Sequence, residues 1–168
     1  MLSLFAALAC TPSRAEQVYQ RPEAFIEQTF GGDPPDPGVL YLKGATKKTV
    51  KEMLGHRYRT IRVRYWLKDG RSAWILEEVG KERPITTGFV ISDGAIERTR
   101  VLVFRESRGW EVRHDFFTDQ FIDARLDKRS DLDVHIDNIS GATLSVRAVK
   151  NLSRIALYLH GVVTSPDA

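Results

Sequence analysis

The chain has 168 residues, of which 42% are hydrophobic, and this length suits one domain with a hydrophobic core. The 25 Lys and Arg are scattered among 22 Asp and Glu and leave a net charge of only +3, which offers no argument for a nucleic-acid partner. One Cys and four widely separated His exclude an internal disulfide and a cysteine-rich metal site.

Residues 1–15 have the pattern of the end of a secretion signal. An apolar run from Leu2 to Ala9 precedes Ser13-Arg14-Ala15, which fits a small-x-small cleavage site. The alternative is a lipoprotein acylated at Cys10, although leucine is absent from the usual lipobox position. About ten apolar residues are too few to span a membrane. Both interpretations predict that the mature protein, a single domain over residues 16–168, works outside the cytoplasm.

Two short helices and one strand are predicted in the first third of the mature chain. Proline in the first turn favours a helix over Pro22–Phe30, and a Pro- and Gly-rich loop over residues 31–38 follows it. Val39–Leu42 is predicted to be a short strand. Thr46–Leu54 has the pattern of a second amphipathic helix, which is expected to end near Gly55.

From residue 60 to residue 105 the hydrophobic pattern alternates with period two, as in half-buried strands. Asp69-Gly70 and Asp93-Gly94 are hairpin signals, and a change of phase near Thr99 indicates a bulge. Four strands joined by short turns form an antiparallel meander, and the flanking helices can cover one face of it, which predicts an α+β fold. The predicted strands begin near Thr60 and continue through Ser72–Val79, Ile85–Ser92 and Ala95–Arg105.

A third helix pattern, the amphipathic run Leu144–His160, comes last in the chain, with Gly161 at the expected stop. The segment Asp137–Thr143 stands directly before it, and Asp131–His135 is predicted to be a last short strand. The free N–H groups and the positive end of the dipole at such a helix start favour a phosphate.

Four small or hydroxyl residues line this helix start. Gly141 and Ala142 carry no bulk that would block a ligand. The hydroxyls of Ser140 and Thr143 are placed to meet an anion. The alternative is that one of these two hydroxyls is simply a helix N-cap.

The motif Asp-x-x-Ser-Gly-Ala-Thr, from Asp137 to Thr143, resembles the flavinylation motif of the FMN-binding domain family. That family includes the C subunit of the sodium-pumping NADH:quinone reductase, the G subunit of the Rnf complex and many small extracytoplasmic flavoproteins. The resemblance implies FMN held covalently by a phosphoester bond to Thr143. It also implies that a dedicated flavin transferase makes the bond, with FAD as donor and a divalent metal.

The remaining motif residues have expected roles as well. Ser140 caps the helix or bonds a phosphate oxygen, and Asp137 bonds backbone N–H groups of the turn or serves recognition by the transferase. A similar stretch, Lys43–Thr46, lacks the carboxylate and the first hydroxyl of the motif. We therefore do not expect Thr46 to be modified.

A second region, from Arg108 to Phe121, is similar to the family's glycine turn and aromatic-x-x-Gln-Phe helix, which enclose the isoalloxazine ring. The turn Glu106–Gly109 keeps only the ends of the family's Glu-Thr-Pro-Gly-like pattern. The alternative is that two of the aromatic residues, which share one face of a helix, belong to the core. The ring contacts that the resemblance implies are Trp110, Phe117 and Phe121, with Arg113 balancing charge on the reduced flavin.

The first functional hypothesis is an electron-transfer flavoprotein outside the cytoplasm, where covalent attachment prevents loss of the cofactor and the flavin does the redox chemistry. Its redox partners are expected to be a membrane-bound reductase, a cytochrome or a quinone-linked complex. No glycine-rich fingerprint follows a strand within a βαβ unit, so we expect no nicotinamide site.

Two other hypotheses stay open at the level of the sequence. In one, the protein is a flavin-dependent reductase that acts directly on a small acceptor, with a proton donor such as His114. In the other, it is an unmodified exported domain that binds a partner, and the motif hydroxyl is only a helix cap.

Overall fold

The structure, a computed structural model, describes residues 16–165. The predicted signal peptide and Cys10 therefore lie outside the described residues. The described chain forms a six-stranded antiparallel sheet with helices packed on it, which confirms the predicted α+β fold. The strands are β1 (Gln17–Val18), β2 (Gly38–Tyr41), β3 (Arg62–Lys68), β4 (Arg71–Val79), β5 (Pro84–Ser92) and β6 (Ala95–Phe104). The helices are α1 (Pro22–Thr29), α2 (Gly44–Leu54), α3 (Asp115–Thr118) and α4 (Thr143–Thr164), and two 3-10 helices, Trp110–Arg113 and Asp119–Phe121, flank α3.

The two predicted hairpins are confirmed. Asp69 and Gly70 have φ angles of 51° and 76°, and Asp93 and Gly94 have φ angles of 50° and 72°. Positive φ at both central positions is the type I′ combination, which matches the twist of the flanking strands. Strands β3 to β6 therefore form the expected meander, and the full strand order is β1-β6-β5-β4-β3-β2.

The bulge predicted near Thr99 is resolved into two bulges, one on each side of that residue. The pairing of β5 with β6 shifts register so that Glu97 and Leu102 are the extra residues. Because of the second bulge, the consecutive residues Leu102 and Val103 both pack into the same side of the core, which strict alternation does not allow.

Helices cover both faces of the sheet rather than one. Helices α2 and α4 pack on the face that carries Trp74 and Leu76, whereas α1 packs on the opposite face through Phe25. A Cβ on Gly88 of β5 would lie 2.7 Å from the Phe25 ring, so α1 approaches the strand closely. The reason for the second layer is that β5 is buried on both faces along almost its whole length, which requires cover on both sides.

Helix α4 continues past the predicted stop. Gly161 lies inside it, and the helix ends only at Thr164. Val163 packs against the core, and this contact outweighs the low helix propensity of a glycine, about 1 kcal/mol. The strand predicted at Asp131–His135 is wrong, because only an isolated bridge between Leu126 and Leu132 forms there. None of the helices in residues 16–165 has the length and apolar character that crossing a bilayer requires.

A buried polar chain links α4 to the sheet. The Trp74 indole donates a hydrogen bond of 2.8 Å to Ser72 Oγ, which lies 2.7 Å from Nδ1 of His160. A neutral His160 that carries its proton on Nε2 can accept a hydrogen bond from the Ser72 hydroxyl at Nδ1, whereas a protonated ring has no lone pair there and can only donate. Burial lowers the pKa of His160 below its ordinary value of 6.5, although the charge of Asp93 opposes the shift.

This chain predicts a stability that depends on pH. Because the folded pKa of His160 lies below 6.5, the unfolded state binds more protons as the pH falls through that range. The free energy of unfolding is therefore expected to fall as the pH drops below about 6.5 towards the lowered folded pKa, by at most about 1.4 kcal/mol per pH unit for one proton. Urea unfolding of the parent and of His160→Gln at several pH values measures this slope. An equally steep slope in the variant would assign the effect to other groups.

Candidate functional site

Thr143 is the first residue of α4, and its side chain is exposed. Its Oγ1 accepts a hydrogen bond of 3.1 Å from the amide of Asn138. Ala142 occupies the N-cap position, and no side chain caps the helix. The alternative in which Ser140 or Thr143 is the cap is therefore wrong. The first-turn N–H groups have no partner within the helix and no side-chain cap, so they are available to an anion.

Gly141 and Ala142, the two small residues of the motif, have different roles in the turn before α4. The Ala142 N–H donates to the Ile139 carbonyl at 2.9 Å, which closes the turn. Gly141 has a φ of 81°, and a Cβ built on it would meet no atom within 4 Å, so the outer side of the turn is open. Ala142 is 2% exposed and packs inward. Room for a ligand therefore comes from Gly141, whereas Ala142 fits the turn to the core.

Asp137 contacts His135 through its side chain and Gln120 through its backbone. Its carboxylate lies 3.4 Å from Nε2 of His135, and both side chains are exposed. The backbone N–H of Asp137 donates a hydrogen bond of 2.7 Å to Oε1 of Gln120. Gln120 is the glutamine of the aromatic-x-x-Gln-Phe pattern, so it ties the second region to the start of the motif. The sequence pattern contained this glutamine but gave no partner for it.

Gly109 joins the two regions at a second point. Its φ of 85° is left-handed, and a Cβ on it would overlap the hydroxyl oxygen of Ser145 and lie 3.4 Å from the Cβ of Ala142. The glycine turn of the second region is thus packed directly on the first turn of α4. Ser145 was not predicted as a site residue, because its role depends on this contact between distant parts of the chain.

An exposed aromatic surface follows the glycine turn. Trp110 is 43% exposed, and Phe116 is 62% exposed. His114 lies between them, with its ring edge-on to Trp110 at 5.5 Å and stacked on Phe116 at 6.0 Å. The short helix Trp110–Arg113 contacts α4, so this surface adjoins the element that begins at Thr143.

Arg113 supplies the positive charge beside this surface. Its guanidinium lies 5.0 Å from the Trp110 ring centre and 4.6 Å from that of Tyr19. Burial raises the pKa of the Tyr19 phenol, and the Arg113 charge opposes the shift. Among residues 16–165, Nε of Arg113 is one of a few buried polar atoms without a hydrogen-bond partner. The predicted cation therefore lies against Trp110, and its Nε–H group is able to donate a further hydrogen bond.

Phe117 and Phe121 have no exposed surface. Both are 0% exposed, and their rings pack edge to face with centres 5.4 Å apart. The expected helix over this stretch is divided into α3 and the 3-10 helix Asp119–Phe121. The packing favours the core interpretation for these two residues, and Trp110 is the predicted ring contact that keeps an open face.

The family model of the FMN-binding domain matches residues 80–158. This span contains both regions described above and the elements from β5 to most of α4, and it leaves α1, α2 and strands β1 to β4 outside. Comparisons with curated proteins and with solved structures gave no match.

Proposed function

Because residues 80–158 match the family model of the FMN-binding domain, we propose that this protein is an extracytoplasmic electron-transfer flavoprotein whose FMN is joined by a phosphoester bond to Thr143. The observation that carries the proposal is the exposed Thr143 hydroxyl at the uncapped start of a 22-residue helix. The apolar pattern of residues 1–15 supports the location outside the cytoplasm.

The helix start fits a phosphodiester. Such a group keeps one negative charge, which the free N–H groups and the positive end of the α4 dipole stabilise. No acidic residue lies in the first turn of α4. The nearby carboxylate of Asp137 is turned to His135, which reduces its repulsion of an anion at Thr143.

The aromatic surface fits a planar ring system. Trp110 offers an exposed face for stacking, and Arg113 places a cation beside it. When bound, FMN supplies the redox chemistry by taking up and releasing electrons. The chain holds the phosphate, orients the ring and sets the charge around it.

The proposal includes partners. A flavin transferase with a divalent metal would transfer the FMN half of FAD to the Thr143 oxygen, so that the pyrophosphate bond of FAD breaks, AMP leaves and the hydroxyl proton is lost. A membrane-bound reductase or a cytochrome then exchanges electrons with the flavoprotein. The covalent bond keeps the cofactor with the protein in a compartment where a diffusible flavin would be lost.

Intact mass spectrometry of the protein made with and without a flavin transferase tests this function. The parent is expected to gain the mass of one FMN less one water, located by peptide mapping on Thr143, and Thr143→Ala is expected to gain nothing. Thr46→Ala is the matched control, because Thr46 also follows Gly-Ala and also lies in the first turn of a helix. It should be modified as fully as the parent.

Two results would contradict the proposal. If the parent gains no mass under modifying conditions, the covalent flavin is absent. If Thr143→Ala is still modified, the bond is made elsewhere in the chain.

A further inference from the structure

One segment outside the matched span has a local excess of basic residues. Residues 39–64 contain eight Lys and Arg and a single acid, Glu52, so that this segment carries +7 and the rest of the chain −4. The expectation of scattered basic charge is wrong here. We call the surface formed by the lysines of Lys43–Lys51 and the arginines of Arg57–Arg64 the basic edge.

The basic edge surrounds strand β2, which forms one edge of the sheet. Its lysines lie on or beside α2, which packs on the face that α4 also covers. Arg62 and Arg64 alternate with the buried Val63, so they lie on the other face, where they pair across the ladder with Tyr41 and Val39. The positive charge therefore extends around the edge and does not converge on one small pocket.

These charges are almost entirely unneutralised. Lys48 lies 3.9 Å from Glu52, and both side chains are largely exposed. The other seven lysines and arginines of the basic edge form no ion pair with any residue in the described range 16–165. Clustered charges of one sign repel each other and create a field that attracts an anionic partner.

Exposed apolar side chains lie among the charges. Val39 is 44% exposed, Tyr41 48% and Ile61 55%. The Lys43 ammonium lies over the Tyr41 ring, 5.0 Å from its centre. Aliphatic and aromatic tips surrounded by Lys and Arg are the combination with which proteins bind the interface of an anionic bilayer.

The strand itself is poorly suited to an added peptide strand. Strand β2 has only four residues, Pro35 and Pro37 precede it, and Lys43 follows it. Short length, proline and lysine are the features that protect sheet edges from pairing with another chain. We propose that the basic edge docks this protein on the surface of an anionic lipid bilayer. The proposal does not depend on flavin attachment.

Docking through β2 fixes an orientation. The helix Trp110–Arg113 contacts β6, and Arg113 reaches Tyr19 next to β1, at the opposite edge of the sheet. Residues 106–137, which include this region, carry nine acids and five Lys and Arg and are therefore repelled by an anionic surface. A protein bound by the basic edge presents Trp110 and its surroundings away from the bilayer.

Co-sedimentation of the purified full chain with phosphatidylglycerol vesicles and with phosphatidylcholine vesicles tests the proposal. We expect binding to the anionic vesicles only, and loss of binding at about 1 M salt, where the Debye length is about 3 Å. The triple variant Lys47→Gln, Lys51→Gln, Arg57→Gln should bind on the order of a hundredfold more weakly, since each basic residue near such a surface contributes roughly fivefold and the three factors multiply. A second variant, Arg62→Gln with Arg64→Gln, tests the other face independently.

The matched control removes the same charge elsewhere, through Lys81→Gln, Arg83→Gln and Lys128→Gln, three exposed positions outside the basic edge. Its binding should stay within about twofold of the parent, because it keeps every charge of the docking surface. Equal loss in the control would show that net charge alone acts and would overturn the proposal. Equal binding to both lipids would overturn it too. Absence of vesicle binding together with salt-sensitive binding of polyglutamate would assign the edge to an acidic protein instead.

Discussion

Phe117→Ala is expected to lower the free energy of unfolding by about 3–5 kcal/mol, the range for removing a fully buried phenylalanine ring. Phe117 is 0% exposed, and its ring packs edge to face on Phe121. Truncation leaves a cavity that the surrounding turns are too constrained to fill. Urea unfolding of the unmodified protein, followed by far-ultraviolet circular dichroism, measures the loss.

The neighbouring residue provides the control for this variant. Phe116 is 62% exposed, so Phe116→Ala should change the free energy of unfolding by less than about 0.5 kcal/mol. If Phe117→Ala were as stable as the parent and altered only the spectrum of the flavinylated protein, Phe117 would be a ring contact. The core interpretation would then fail.

Gly109→Ala is expected to destabilise the protein by about 2–4 kcal/mol, because backbone strain and overpacking act together. The left-handed φ of 85° disfavours any side chain, and the new Cβ would overlap the Ser145 hydroxyl. Either the Ser145 side chain must move, or the contact between the glycine turn and the first turn of α4 must open, to admit it. We therefore also expect less modification of Thr143, measured by intact mass after a fixed time with the flavin transferase.

Gly141→Ala is the control that measures the cost of the left-handed backbone conformation without a steric overlap at the new Cβ. Gly141 has nearly the same φ, 81°, but nothing lies within 4 Å of its Cβ position. Its cost should be about 1–2 kcal/mol, the cost of the left-handed conformation alone. Equal losses of stability in the two variants would show that the packing of Gly109 on Ser145 contributes nothing.

The parts of the fold that were predictable from sequence depend on local chemistry. Asp-Gly pairs specify the two hairpins because both central residues must adopt positive φ, and the alternating pattern specifies the strands between them. Strand β1 was missed, because a strand of two residues is too short to show an alternating hydrophobic pattern. The end of α4 was misplaced, because a tertiary contact of Val163 outweighs the local preference of Gly161.

The candidate site, too, was predictable where it depends on local sequence and not where it depends on tertiary contacts. The flavinylation motif is contiguous, so the sequence indicates Thr143 and the helix behind it. The bond from Asp137 to Gln120 and the packing of Gly109 on Ser145 join segments far apart in the chain. Helical spacing showed that Phe117 and Phe121 share a side, but it carries no information on whether that side faces the core or a ligand.

The family match begins inside the sheet, directly after strand β4. This strand ends at Val79, immediately before the matched span 80–158, yet it pairs with β5 from Ser72 to Val79 and contributes Trp74 to the centre of the core. A fragment of residues 80–158 would leave β5 with a long unpaired edge, and such edges associate with other chains. The segment defined by sequence similarity is thus smaller than the structural unit, because it lacks the strand that pairs with β5. In this chain, the residues directly upstream of the match supply the strand that completes the sheet beside β5.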